Sequence, residues 1–193
     1  MTGRLDGKKV AILASDGFEQ QELLTPLEEL RKAGATVEVI SPKGGQIQGF
    51  DHMKPDRTVA VDKTLDQAKA DDYDALVLPG GVANPDHLRI DEQALAFVRA
   101  FFEAGKPTGA ICHAPWILIN AGLAKGRTLT SFKSIREDLR NAGAEVMDKE
   151  VVVDRGLVTS RDPDDLPAFC AKLIEEIAEG RHDIRAGHQR TAA

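Results

Sequence analysis

Short apolar runs alternate with longer amphipathic stretches along most of this chain, and that alternation leaves few folds open. Residues 10–14 read as a buried strand, and 19–33 as a helix with Leu23, Leu27 and Leu30 on one face and Gly34 as its stop. TVEVIS at 36–41 is the next strand, and DALVLPGG at 74–81 is a buried strand closed by a glycine pair. A helix over 91–104 ends at Gly105, and a strand over 108–111 runs into Cys112 and the helical stretch APWILINAG. Strand–helix–strand repetition of this kind predicts an α/β fold, a doubly wound parallel sheet sandwiched by helices.

The remaining segments fit that plan less tightly. Residues 42–62 are rich in Gly, Pro and polar side chains and read as an excursion, with VAV at 59–61 as a short strand. Further strands are expected at 145–147, 151–153 and 157–160, followed by an amphipathic helix over 163–178. From Gly180 the chain is polar and patternless, a loose tail or an oligomer contact. With no internal repeat and no linker, residues 1–193 read as one domain with an ordered core of about 8–179 and a tail at 180–193.

Composition narrows the class. The chain has 193 residues, 42% hydrophobic and 29% charged, enough for one sizeable core. A net charge of −6, with 25 scattered Lys and Arg residues, gives no footprint for nucleic acid or an anionic membrane. No stretch approaches the ~20 apolar residues of a membrane span, and the N-terminus lacks a secretory h-region. Cys112 and Cys170 make no disulfide framework, and neither has neighbours at zinc-ligand spacing. The expectation is a cytoplasmic protein with reduced thiols.

Three motifs carry chemistry. In GAICHAPWIL, 109–118, a buried strand ends in Cys112 among the small residues Gly109, Ala110 and Ala114. Sites in doubly wound sheets form at the carboxyl ends of strands, and a nucleophile on a sharp strand-to-helix turn is presented there. The following helix start would lower the thiol pKa. A buried structural cysteine followed by a capping histidine is the other reading. The glycines of LPGG, 78–81, let backbone approach a ligand, and their N–H groups can hold an oxyanion; alone they would be an ordinary turn. In SDGFEQQEL, 15–23, Glu19 stands near a helix start where it can share a proton with the thiol. A first-turn carboxylate favoured by the helix dipole is the alternative, and it fits Glu22 equally.

FE after the first strand, then LPGG, ICHAP and SRDPDDLPAF resemble, in order, the PfpI family of intracellular cysteine peptidases and general stress proteins. That family is related to the parkinsonism-associated protein deglycase and to glutamine amidotransferases. The resemblance spans about residues 9–178 and implies a flavodoxin-like, glutamine-amidotransferase-like fold. It implies Cys112 as nucleophile, His113 as its adjacent base, Glu19 as the proton-sharing carboxylate, and Gly80 and Gly81 as oxyanion donors. It also implies an acid after the glycine pair that reaches His113 across a subunit boundary, here Asp86. Asp86 is one methylene shorter than the usual Glu, and Ala114 stands where Gly is common. Beyond His113 the later histidines, His182 and His188, fall in the tail, which argues against a long-range triad.

The resulting expectation is a cysteine-dependent hydrolase acting on peptides, or on methylglyoxal and glycated proteins, without metal or organic cofactor, and self-associating as a dimer or larger. The alternative is a non-catalytic redox sensor or chaperone-like stress protein signalling through oxidation of Cys112. His52 and His87 read as surface histidines, Cys170 and Trp116 as packing, and Ser160 and Arg161 as strand-end residues.

Overall fold

A computed structural model describes residues 3–182. In chain order the elements are β1 (Lys9–Leu13), β2 (Phe18–Glu19), α1 (Gln20–Lys32), β3 (Thr36–Ser41), β4 (Gln46–Asp51), β5 (Lys54–Ala60) and β6 (Lys63–Thr64). They continue with β7 (Ala75–Leu78), α2 (Ala83–Leu88), α3 (Glu92–Glu103), β8 (Thr108–Ile111), α4 (Pro115–Asn120) and β9 (Thr128–Leu129). The last are α5 (Arg136–Asn141), β10 (Glu145–Val146), β11 (Val152–Asp154), β12 (Leu157–Ser160) and α6 (Leu166–Glu179).

The main sheet runs β11-β12-β8-β7-β1-β3-β6. Each neighbouring pair is parallel except β11 with β12, where the Val152↔Thr159 register is antiparallel. The sheet is parallel as expected, with one antiparallel strand added at that edge, where the two-residue link Arg155–Gly156 is too short for a crossover. Residues 145–147 also leave the main sheet, because β10 pairs with β9 in a separate ribbon. The 42–62 excursion is an antiparallel hairpin, β4 with β5, docked on β2 through Glu19↔Phe50.

Alternation along the central strands explains the layering. Ala11, Leu13, Leu76, Leu78 and Ala110 face one way, onto Val98 and Phe101 of α3 and Ile117 of α4. Val10, Ile12, Ala75, Val77 and Ile111 face the other, onto Leu23 and Leu30 of α1 and Phe169 and Leu173 of α6. Strands buried on both faces read as continuous apolar runs, which is why they were legible. Asp91 starts α3 by accepting the N–H groups of Gln93 and Ala94 at 2.9 and 3.1 Å.

β8, β7 and β1 are adjacent, so the three chemical motifs emerge side by side at one end of the sheet. The first tail residues turn to the opposite end, where the His182 N–H donates to the Gly105 carbonyl ahead of β8. That places His182 away from Cys112, while His188 lies outside the described residues. Among the described residues no helix is long and apolar enough to cross a membrane.

Candidate active site

Cys112 follows β8 with φ +63, a left-handed conformation that a side-chain-bearing residue adopts at a cost of order 1–3 kcal/mol. The turn is held from both sides: the Cys112 N–H donates to the Ser160 carbonyl at 3.0 Å, and its carbonyl accepts from Phe132 N–H at 2.9 Å. The sharp bend lets sequence neighbours cooperate. Cys112 Sγ lies 3.1 Å from His113 Nδ1.

His113 Nε2 is 3.1 Å from Ser134 Oγ, a partner that the sequence reading did not single out. The ring stacks on Phe132 with centroids 4.8 Å apart and meets Trp116 edge-on at 5.3 Å. Trp116 is fixed in turn by donating to Asp138 Oδ2 at 2.8 Å. Burial lowers the His113 pKa, so the ring is neutral near pH 7. In the tautomer that leaves Nδ1 free to accept from the thiol, Nε2–H donates to Ser134 Oγ.

The carboxyl beside the thiol is Glu22, not Glu19. Glu22 is fully buried in α1, and its Oε2 accepts the Gly80 N–H at 2.9 Å. Its Oε1 has no hydrogen-bond partner among the described residues, and the Cys112 sulfur is the neighbour placed to accept the carboxyl proton. Glu19 instead ends β2, where its Oε2 accepts the His52 N–H at 2.9 Å. The cause is the hairpin: its docking on β2 draws Glu19 toward His52, and Glu22, one turn further on, faces the sheet.

Burial pushes the Glu22 pKa up to about 8. Burial, followed by the Glu22 charge, also pushes the Cys112 thiol well above its ordinary value. The expected depression of the thiol pKa is thus reversed. α4 is only six residues long, and desolvation by the core outweighs its dipole. The backbone N–H groups of Gly81 and His113 approach the sulfur and oppose the rise. Thiol and carboxyl both hold their protons at neutral pH, in a site with a neutral base 3.1 Å from the sulfur.

The two glycines divide their roles. The Gly80 N–H is occupied by Glu22, which corrects its expected part as an oxyanion donor; Gly81 supplies the N–H at the sulfur. A Cβ at Gly80 would lie 2.5 Å from Glu22 Oε2 and 2.7 Å from Cys112 Cβ, so close approach requires glycine there. Asp86 lies exposed on α2, and within the chain both His113 nitrogens are met by Cys112 and Ser134 instead. Nor does Asp86 cap α3, which Asp91 does itself.

These groups open onto a cavity of about 340 Å³ walled by Met53, Val82, Phe132 and Pro163, with Cys112 at its base. Ser160 and Arg161 stay outside it: Ser160 Oγ donates to the Glu150 carbonyl, and Arg161 pairs with Asp148 and Asp165. Cys170 is buried against Phe169 and Leu173, and burial raises its thiol to about 12.

A cysteine on a strained strand-to-helix turn of a doubly wound sheet, with base and carboxyl buried beside it, defines a class of α/β thiol-nucleophile protein. Within that class the chain belongs to the DJ-1/PfpI family, whose model matches residues 8–176. It is 48% identical over 164 residues to protein/nucleic acid deglycase 2 of Escherichia coli K12, covering 84% of this chain and 93% of the relative. It is 45% identical over 163 residues to the putative cysteine protease YraA of Bacillus subtilis, covering 84% and 94%. The crystal structure of Drosophila melanogaster DJ-1beta superposes with a TM-score of 0.82 at 31% identity, covering 89% of this chain and 90% of that one.

Proposed function

We propose that the chain is a cysteine-dependent hydrolase of the PfpI type whose substrate is a reactive carbonyl compound, as a small dicarbonyl or a glycated side chain. The observation that carries this reading is the Cys112–His113 contact of 3.1 Å at the base of a small cavity with largely apolar walls. Sγ adds to the carbonyl carbon while its proton passes to His113 Nδ1, giving a tetrahedral adduct. The Gly81 and His113 N–H groups at the sulfur are the donors nearest the new oxyanion, and protonated Glu22 is the acid available to it. The relative named as a deglycase supports the carbonyl branch, and the one named as a putative protease supports the peptide branch. A cavity of about 340 Å³ suits a small group better than an extended peptide.

The test is steady-state turnover of methylglyoxal, a glycated peptide and an unmodified peptide by wild type and Cys112→Ser. Turnover of the first two that disappears in the variant supports the reading. Turnover of the unmodified peptide alone moves the assignment to peptidase. No turnover of any, with Cys112 oxidised by peroxide, moves it to the redox sensor.

The reading includes self-association. Val82 at the cavity mouth and Ile90 just past α2 are exposed apolar side chains, and Asp86 lies exposed between them in sequence. A second copy packed there would cover Val82 and Ile90, and the family resemblance gives its Asp86 the role of acid toward His113.

A further inference from the structure

Glu19 turns its hydrogen bond to His52 rather than to the thiol pair, yet it is one of the least accessible carboxylates among the described residues. Only 7% of the residue is exposed. Oε2 accepts the His52 N–H, while Oε1 is buried with no partner among the described residues. A buried carboxylate oxygen left unpartnered is costly unless something outside the chain supplies the partner.

The groups around it say what that partner is. β2 carries Glu19 against β4, whose last residue is Asp51, and the turn that follows begins with His52. One donor atom from each of Glu19, Asp51 and His52 lies within 4.8 Å of the others. His52 Nδ1 sits 3.0 Å from Asp51 Oδ1, so a shared proton already joins two of the three. Donor atoms around a tetrahedral zinc ion are spaced by about 3.3–3.5 Å. The set therefore needs to contract by little more than 1 Å, and the exposed side chains of Asp51 and His52 at a hairpin tip can do that by rotation.

We propose that Glu19, Asp51 and His52 form a binding site for a divalent first-row transition ion of the zinc type. Two carboxylates and an imidazole match a dication in charge. The nitrogen donor favours such ions over magnesium or calcium, which take oxygen ligands. Three protein ligands leave a position open. Glu19 and His52 both line the cavity that holds Cys112, so the ion sits at its mouth, where a substrate oxygen can fill that position. The site is read from residues separate from the thiol chemistry and stands whether or not that chemistry is as proposed.

Zinc chloride binding by calorimetry tests it, in the Cys112→Ser background so that the thiol takes no part. We expect a saturable site with Kd at or below about 10 µM. His52→Ala, a change at an exposed position, and Glu19→Gln should each weaken it at least tenfold. A second group of possible ligands, Glu176, Glu179 and His182, lies at the other end of the sheet. His182→Ala should leave the site in place. Absence of saturable zinc binding up to millimolar concentration would overturn the proposal. So would a site that survives His52→Ala, or one lost in His182→Ala.

Discussion

Replacing Glu22 by Gln isolates the cost of keeping a carboxyl inside the core. Gln is nearly isosteric, and its side-chain oxygen can still accept the Gly80 N–H that Glu22 Oε2 accepts at 2.9 Å. The wild-type carboxyl has its pKa raised from 4.5 to about 8 by burial. Between those values the folded state holds a proton that the unfolded chain releases, so stability is full below pH 4.5 and falls as pH rises toward 8. At 1.36 kcal/mol per pH unit, the fall between pH 5 and 8 is about 3–4 kcal/mol. The hydrogen bond with Cys112, which favours the ionised carboxylate, already moderates the rise in pKa. Glu22→Gln abolishes this slope, whatever constant offset the buried amide adds. Urea denaturation at half-unit steps from pH 5 to 8 measures it: the two proteins should diverge steadily, the wild type losing stability relative to the variant. Curves that stay parallel within about 0.5 kcal/mol across that range would refute a proton-holding Glu22.

Other substitutions probe the remaining parts of the site. Ser134→Ala removes the partner of His113 Nε2 and should lower kcat by about fivefold with KM nearly unchanged, worth ~1 kcal/mol. Ser134→Thr should restore it, and unchanged kcat in the alanine variant would remove Ser134 from the site. Gly80→Ala places a methyl 2.7 Å from both Cys112 Cβ and the Ile111 carbonyl oxygen, neither of which can swing away. It should lower stability by about 2–3 kcal/mol and abolish turnover, and an unchanged urea midpoint would contradict that packing. Sedimentation with kinetics across a dilution series should show a dimer or larger, with Asp86→Ala reducing turnover. A monomer with full activity per chain would defeat the shared site.

The parts of the fold that the sequence made legible are those whose burial is complete and regular. β1, β7 and β8 are apolar on both faces, β3 alternates over Val37, Val39 and Ile40, and α1 and α3 each show one apolar stripe. The β4–β5 hairpin was not legible because only Ile47 and Gly49 within it are buried; the exposed strand KPDRTVA carries no alternation to read. α2 and α5 are six residues each, too short for a periodic pattern to emerge. β10 was expected as a strand at 145–147, but its two-residue partner β9 was not, because so short a strand carries no pattern and exists only through the pairing.

The site shows the same limit at finer scale. Cys112 and His113 were legible because strand end, small neighbours and turn converge on one short motif. Ser134 was not, since it lies 22 positions from Cys112 and the second Ser of SFKS resembles any turn serine. Glu19 and Glu22 pose the sharper case. They are three residues apart, on one face of a helix if both are helical, and pattern alone treats them alike. What separates them is that Glu19 is still strand, paired with Phe50, so its side chain follows the hairpin toward His52. Glu22 is the first carboxyl inside α1, and the helix turns it onto the Gly80 N–H beside Cys112. The deciding residues, His52 and Gly80, are 33 and 58 positions away from their partners. Which carboxylate meets the thiol is therefore set by where a two-residue strand stops and a helix begins, a boundary fixed by tertiary pairing rather than by local propensity.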